Sequence, residues 1–525
     1  MTVLLHHFIR DQATRRPEAA ALRQRQETIS YGELQTRVEA FAAGLLARGL
    51  GPSERVAVYL PKRAETVVAL FGAAAAGGVL VPVNPLLKPA QVAYILKDCN
   101  VRVLVTSGDR LTLLADDLRE CHDLHTVALV DGAPAGPLAH LQVLPWEGLA
   151  RGEPGTRPHR RIDMDMVSIL YTSGSTGRPK GVVLSHRNMV AGARSVAEYL
   201  ENVPEDRLLA VLPFSFDYGF SQLTTAFSVG ASVSLMDYLL PRDVVKAVAR
   251  DRITGLAAVP PLWVQLAPLD WPAEAVESLR YLTNSGGAMP TQVTARLRRS
   301  LPRTRVFLMY GLTEAFRSTY LPPEELDRRP ESMGRAIPNA EILVVREDGS
   351  PCAPGEPGEL VHRGSLVAMG YWNDPERTAE RFKPAPGRPP EVPLTEMAVW
   401  SGDTVRTDED GFLYFVGRRD EMIKTSGYRV SPTEVEEVLY GSGLVAEAAA
   451  LGLPHPTLGQ GIVAVVKPRD PAFDPEALLA ACKRELPNFM VPLQVVTLDT
   501  LPRNPNGKVD RRALVEGLRS LWEER

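Results

Sequence analysis

The chain has 525 residues, room for two to four domains, and its 45% hydrophobic and 23% charged content is ordinary for a globular protein. A net charge of −4, with no basic run carrying interleaved aromatics, argues against a general nucleic-acid binder. Four scattered cysteines (Cys99, Cys121, Cys352, Cys482) offer neither a disulfide framework nor a zinc site and suit a reducing compartment.

The first ten residues lack a basic segment and a small-residue cleavage site, so no signal peptide is expected. Residues 66–83 carry no charge, but they are rich in Ala and Gly and contain Gly77-Gly78. A membrane span needs about 20 strongly apolar residues, so a buried helix running into a buried strand is the better reading. The expectation is a cytoplasmic protein without a membrane span. Apolar runs at 55–60, 79–83, 101–105 and 127–130 predict strands with helices between them. Cys121, His122 and His125 read as a helix end rather than a metal cluster.

The arginine-rich segment 151–161 reads as a loop separating that first series of strands from a second one, at 208–212, 231–235, 256–259 and 306–309, and the run 166–171 reads as a buried strand. Alternation of this kind predicts an α/β protein with largely parallel sheets. Beyond about residue 320, short β-like runs at 341–345, 358–362 and 411–416 are punctuated by Gly and Pro, which predicts a small β-rich subdomain. Residues 384–393 read as an exposed excursion. Past Arg418 a tail of about one hundred residues is large enough for a small domain, with Ser431 as the N-cap of a helix. The expected division is 1–418, with α/β subdomains over about 1–320 and the β-rich part over 321–418, followed by 419–525.

The most informative segment follows the run 166–171. Gly174, Gly177 and Gly181 allow close backbone approach, Thr172, Ser173, Ser175 and Thr176 supply hydroxyls, and Lys180 supplies a compact cation. Such a loop, lying between a buried strand and a helix-like segment, suits a polyphosphate. It is not a Walker A loop, because the G-x-x-x-x-G-K-[ST] spacing is absent, which disfavours a kinase or hydrolase releasing ADP. Five further segments add to it. Ser285-Gly286-Gly287 offers bare backbone to a planar base, and Tyr310-Gly311-Leu312-Thr313-Glu314 combines an aromatic face, a hydroxyl and a carboxylate fit for Mg²⁺. Asp403 sits in a turn suited to ribose hydroxyls. Arg418 and Asp420 mark a possible pivot, and Lys508 follows a tight turn.

Taken together, these motifs resemble those of the adenylate-forming superfamily across nearly the whole chain. The overall character is most similar to bacterial AMP-forming acyl-CoA ligases, including the exosortase A-associated type. The resemblance implies two α/β subdomains, a β-barrel-like subdomain and a small, mobile α+β C-terminal domain. It implies that a small carboxylic acid attacks Mg-ATP to give an acyl-adenylate, which then passes to CoA or to the phosphopantetheine of an acyl carrier protein. By the same resemblance, Thr172 to Lys180 would grip the β- and γ-phosphates, with Thr176 and Glu314 near the metal. Ser285, Gly286, Gly287, Tyr310 and Gly311 would hold adenine, Thr313 the α-phosphate, and Asp403 and Arg418 the ribose. Lys508 would serve the first half-reaction. A hinge at Asp420 would then carry Gly427 and Arg429 to the thiol channel.

The acid pocket is expected among Phe214, Phe216, Asp217, Phe220 and Leu312. Ser215-Phe216-Asp217 resembles the motif of amino-acid-adenylating domains, whose aspartate pairs with the substrate amine. An unpaired Asp217 in apolar surroundings would be costly, and a cationic amine would relieve that cost. Alternatively, Asp217 opens a turn and is satisfied by local backbone. Both readings stand, so a stand-alone amino-acid-adenylating enzyme loading a carrier protein is the alternative to an acyl-CoA ligase.

Overall fold

The computed structural model describes residues 2–133, 138, 141–152, 157–172, 179–287, 289, 291–389, 391–418, 422–502 and 509–522. Among these residues the strands form four sheets. One has seven strands in the order Gln142–Pro145, Thr126–Leu129, Val101–Thr106, Arg55–Val58, Val79–Pro82, Met166–Thr172, Lys180–Ser185, all parallel except the last. Residues 66–83 behave as expected. The helix Ala64–Ala76 is buried on nearly every side, stops at Gly77 in the left-handed region (φ 83°), and turns straight into the strand Val79–Pro82.

A nine-stranded sheet stands beside it, ordered Arg335–Ala336, Thr319–Leu321, Arg305–Tyr310, Tyr281–Asn284, Gly255–Ala258, Arg207–Ala210, Ser232–Leu235, Ala20–Gln24, Glu27–Ser30. Its pairs from Arg305–Tyr310 across to Ala20–Gln24 are parallel, so the connecting helices are forced onto its faces, and strands such as Gly255–Ala258 and Arg305–Tyr310 are largely apolar. One apolar cluster runs through both layers, from Leu22 and Phe71 to Phe227, Trp263 and Phe307.

Two details depart from the sequence reading. The strands at 208–212, 231–235, 256–259 and 306–309 do share one sheet, but the early strand Ala20–Gln24 joins it beside Ser232–Leu235, while Met166–Thr172 and Lys180–Ser185 complete the first sheet. The glycine-rich loop also does not lead into a helix. It joins the antiparallel pair Met166–Thr172 and Lys180–Ser185, and the helix His186–Tyr199 begins only afterwards.

The β-rich part is an antiparallel sheet of Ala340–Val345, Gly358–Gly364, Met397–Thr407, Phe382–Pro384 and Leu413–Arg418. The C-terminal part is α+β. Its sheet holds Tyr428–Val430, Ile423–Thr425, Gly459–Pro468, Val445–His455 and Gln494–Thr497, with the helices Pro432–Gly441 and Pro475–Glu485 packed through Val435, Leu439 and Leu478. The Ser431 hydroxyl accepts from the Glu434 N–H, as the expected N-cap requires. No helix among the described residues is long and apolar enough to cross a membrane, and they contain no cluster of metal-ligating side chains.

Candidate functional site

Parallel strands end together, and their carboxyl ends open a crevice. Tyr281–Asn284 and Arg305–Tyr310 are neighbours in register, with Asn284 beside Leu308, so the segments that follow them meet. After Asn284 the chain turns at Gly286 with φ 84°, a conformation that suits glycine, and the Asn284 amide closes the turn by donating to Gly287 O at 3.0 Å. After Tyr310 the chain passes through Gly311 and Leu312 into a short 3₁₀ turn, Thr313–Ala315. The Tyr310 hydroxyl donates to the Asp403 carboxylate, and Asp403 lies opposite Arg418 in the strand pairing. A cavity of about 490 Å³ gathers these segments, its wall including Thr172, Ser285, Gly286, Gly287, Tyr310 and Thr313.

Lys180, Glu314 and Tyr371 interlock nearby. The Lys180 ammonium donates to Glu314 Oε1 at 3.1 Å and to the Tyr371 hydroxyl at 2.7 Å, and that hydroxyl donates to Glu314 Oε1 at 2.6 Å. Burial opposes the Glu314 charge, yet Lys180 and the Tyr371 hydroxyl outweigh it and hold the carboxyl well below the usual range. Burial pulls the Lys180 ammonium down, while Glu314 supports it. The Thr172 hydroxyl is buried with no hydrogen-bond partner, as a group awaiting an acceptor oxygen would be. A nucleotide-bound Mg²⁺ takes one or two protein carboxylates and draws its other ligands from phosphate and water. Glu314, its carboxyl held in the charged form beside the segment Tyr310–Thr313, fits that need.

The acid end of the cavity differs from expectation. Phe216, Asp217 and Leu312 line it, but Phe214 and Phe220 do not. Phe214 belongs to the hydrophobic core, and Phe220 is fully buried against Phe71, with ring centroids 5.9 Å apart. Asp217 is not unpaired. Its Oδ2 accepts from Arg317 Nη1 at 2.9 Å, and both side chains are almost completely enclosed. Burial pushes the Asp217 carboxyl upward, and Arg317 works against that rise. An internal guanidinium therefore stands where the sequence suggested either a substrate amine or local backbone alone.

The C-terminal part closes the crevice through residues 427–429. Gly427 adopts φ 82°, and a Cβ there would lie 2.7 Å from Val259 Cγ2, so glycine is required by both conformation and space. Tyr428 and Arg429 line the same cavity. A second cavity of about 710 Å³ lies beyond and shares Gly286, Gly287, Phe415, Lys424 and Gly427 with the first.

Ser173, Gly174, Ser175, Thr176, Gly177, Asp420 and Lys508 lie outside the described residues, and Arg418 is described only in its backbone. Arg317 and Tyr371 were not singled out from sequence. A charged residue in the apolar stretch after Glu314 was the one available signal for Arg317. Tyr371 left none.

The family model described as AMP-binding enzyme matches residues 9–372, and that described as AMP-binding enzyme C-terminal domain matches 434–508. The L-proline–[L-prolyl-carrier protein] ligase of Streptomyces coelicolor is 34% identical over 93% of this chain and 92% of its own length. Tyrocidine synthase 3 of Brevibacillus parabrevis is 30% identical over 97% of this chain, which spans only 8% of that much longer protein. The o-succinylbenzoate CoA synthetase of Bacillus subtilis superposes with a TM-score of 0.82 at 26% identity, covering 97% of each chain.

Proposed function

We propose, since the chain belongs to the adenylate-forming family of AMP-binding enzymes, that it uses ATP to join a small carboxylic acid to a thiol. In the first half-reaction a carboxylate oxygen attacks the α-phosphorus, a new P–O bond forms, and the α–β anhydride breaks to release pyrophosphate. In the second, a thiolate attacks the acyl carbon and AMP departs with the C–O bonding pair. The observation that carries this reading is one cavity walled by nucleotide-type segments (Thr172, Ser285–Gly287, Tyr310–Thr313), by a buried acid end at Asp217, and by Gly427, beyond which a second cavity begins.

In this reading Thr172 and the loop after it, Ser173 to Gly177, grip the β- and γ-phosphates. Ser285, Gly286, Gly287, Tyr310 and Gly311 hold adenine, Asp403 and Arg418 the ribose, and Thr313 the α-phosphate. Glu314, with Thr176, would hold Mg²⁺, which when bound neutralises phosphate charge. The demanding step presses a carboxylate against a phosphate, and donors aimed at the developing charge lower that barrier most. Lys508 would bridge the two groups in that half-reaction, and a turn about Asp420 would exchange it for Gly427 and Arg429. The docking of Gly427 against Val259 and Gly286 supports assigning the present arrangement to thiol transfer. Pro260, Pro261 and Val264 give the second cavity an apolar wall suited to a pantetheine arm, which CoA and a carrier protein share.

Transfer of an amino acid to a carrier protein is the second reading, favoured by similarity to the proline ligase along nearly its full length. The Asp217–Arg317 pair weighs against a plain ammonium site. ATP–pyrophosphate exchange over a panel of acids tests the adenylation reading. CoA and a phosphopantetheinylated carrier protein, offered in parallel, then identify the acceptor. Production of ADP in place of AMP would refute it.

A further inference from the structure

Arg317 is held in the acid end by an unusual backbone. Phe316, just before it, has φ 58° and ψ −47°, and the Arg317 N–H returns to Ala315 O at 2.6 Å, closing a γ-turn around a non-glycine residue. That conformation is strained and persists only where surrounding packing enforces it. Here the fully buried Phe316 ring sits over Gly192, where a Cβ would lie 2.4 Å from ring Cδ1. Any larger residue at 192 would expel the ring and undo the turn. The turn sends the Arg317 side chain inward until only 2% of it is exposed.

The guanidinium is half used. Nη1 donates to Asp217 Oδ2 and to Phe316 O, both at 2.9 Å, and the Tyr218 ring lies 4.6 Å from the charge centre. Nε and Nη2 are buried and have no hydrogen-bond partner. These two nitrogens form the side edge of the guanidinium, whose parallel N–H groups match the two oxygens of one carboxylate. Arg317 lines the same cavity as Thr313 and Asp217. It is also close to the nucleotide segment, since a Cβ on Gly311 would lie 3.2 Å from Arg317 Cα and 3.5 Å from Nη1. A partly used, buried arginine in strained backbone is a costly arrangement to keep for packing alone.

We propose that the acid activated here carries a second carboxylate, which docks side-on to the Nε–Nη2 edge of Arg317 while the first carboxylate is adenylated beside Thr313. The substrate is then a short dicarboxylic acid, with or without an amino group. Charge can balance within the cluster, because burial already pushes Asp217 toward its protonated form and leaves the guanidinium for the ligand. The proposal rests on the adenylation reading and names the substrate class within it.

The test is pyrophosphate exchange with succinic, glutaric and adipic acids against butanoic, pentanoic and hexanoic acids, and with L-glutamate against L-norvaline. Diacids are expected to exceed chain-matched monoacids in kcat/KM by roughly 10²-fold or more, because a site built to bond a polar group rejects the analogue that lacks it. Arg317→Met should erase that preference, chiefly through KM, and Arg317→Lys should restore part of it. ATP-induced thermal stabilisation should be equal in wild type and variants, which a merely structural role for Arg317 would not allow. The wild-type preference stands as a measurement even where a variant does not fold. Monoacids exchanging as well as diacids, or a preference that survives Arg317→Met, would overturn the proposal. So would exchange found only with acids outside this panel. Absence of exchange with every acid, by protein that still binds ATP, would remove the adenylation reading and this proposal with it.

Discussion

The side-chain amide of Gln91 donates to the Glu434 carboxylate at 2.9 Å, joining the helix Pro89–Asp98 of the N-terminal region to the first turn of Pro432–Gly441 in the C-terminal part. Burial pushes the Glu434 carboxyl up to about 7, Gln91 lowers it, and Glu437 raises it. The docked arrangement therefore favours the protonated acid. Its contribution is full below the free value of 4.5 and is lost as pH rises through about 7. A shift of that size is worth on the order of 3 kcal/mol.

The first prediction is that C-terminal docking loosens as pH rises from about 4.5 through about 7. Fluorescence energy transfer between probes on the two regions should fall across that window. Glu434→Gln, which keeps the helix cap and cannot ionise, should flatten the pH profile. An unchanged profile would mean that another group governs docking.

The triad Lys180, Glu314 and Tyr371 carries the second prediction. Glu314→Gln should lower pyrophosphate exchange by roughly 10²–10³, the scale of losing one group aimed at developing charge. Melting should change less, since a buried Lys180 facing a neutral amide can shed its proton. Tyr371→Phe removes one hydroxyl that bonds both partners, and exchange is expected to fall by about tenfold through KM for ATP. Exchange kinetics at several ATP concentrations separate the two variants.

Motifs carried by single strand ends were legible because they are local. Tyr310 to Glu314 continues the apolar run 306–309, as a buried parallel strand does, and the glycine pair after Asn284 is visible within a few residues. Pairing between distant strands leaves no such mark. Nothing in residues 20–24 reveals that they join Ser232–Leu235, and nothing after Lys180 distinguished a returning strand from a helix. The same limit applied to the acid end. Asp217 and Arg317 are 100 positions apart, so the neutralising partner of that carboxylate emerged only from the fold. Phe214 and Phe220 lie close to Asp217 in sequence, and such closeness does not say which side chains face the core.

A third prediction concerns acid stability. The Leu5 N–H donates to His186 Nδ1 at 3.0 Å, and the His6 ring packs against His7 and His186. Burial lowers His186 and His7 to about 4 and His6 well below its free value of 6.5. The folded state thus prefers neutral rings, so their contribution is full above pH 6.5 and drains away as pH falls toward 4. Thermal melting should decline over that range. His186→Asn, whose side-chain oxygen can still accept from Leu5 but cannot titrate, should soften the decline.

The last prediction separates the two half-reactions. Gly427 touches Val259 so closely that Gly427→Ala would drive a Cβ to about 2.7 Å from a methyl group, in a φ range that alanine avoids. The substitution should hinder the docked arrangement and slow thiol transfer from a supplied acyl-adenylate by tenfold or more. Pyrophosphate exchange should be little changed, because adenylation is assigned to the other arrangement. Lys508→Ala should do the reverse, slowing exchange by roughly 10²–10³ while sparing transfer. Single-turnover measurement of each half-reaction in each variant gives four rates. Crossed losses are what two alternating arrangements of one cleft require. Parallel losses in both variants would mean that a single arrangement serves both steps, and the assignment of Gly427 to the thiol side would fall.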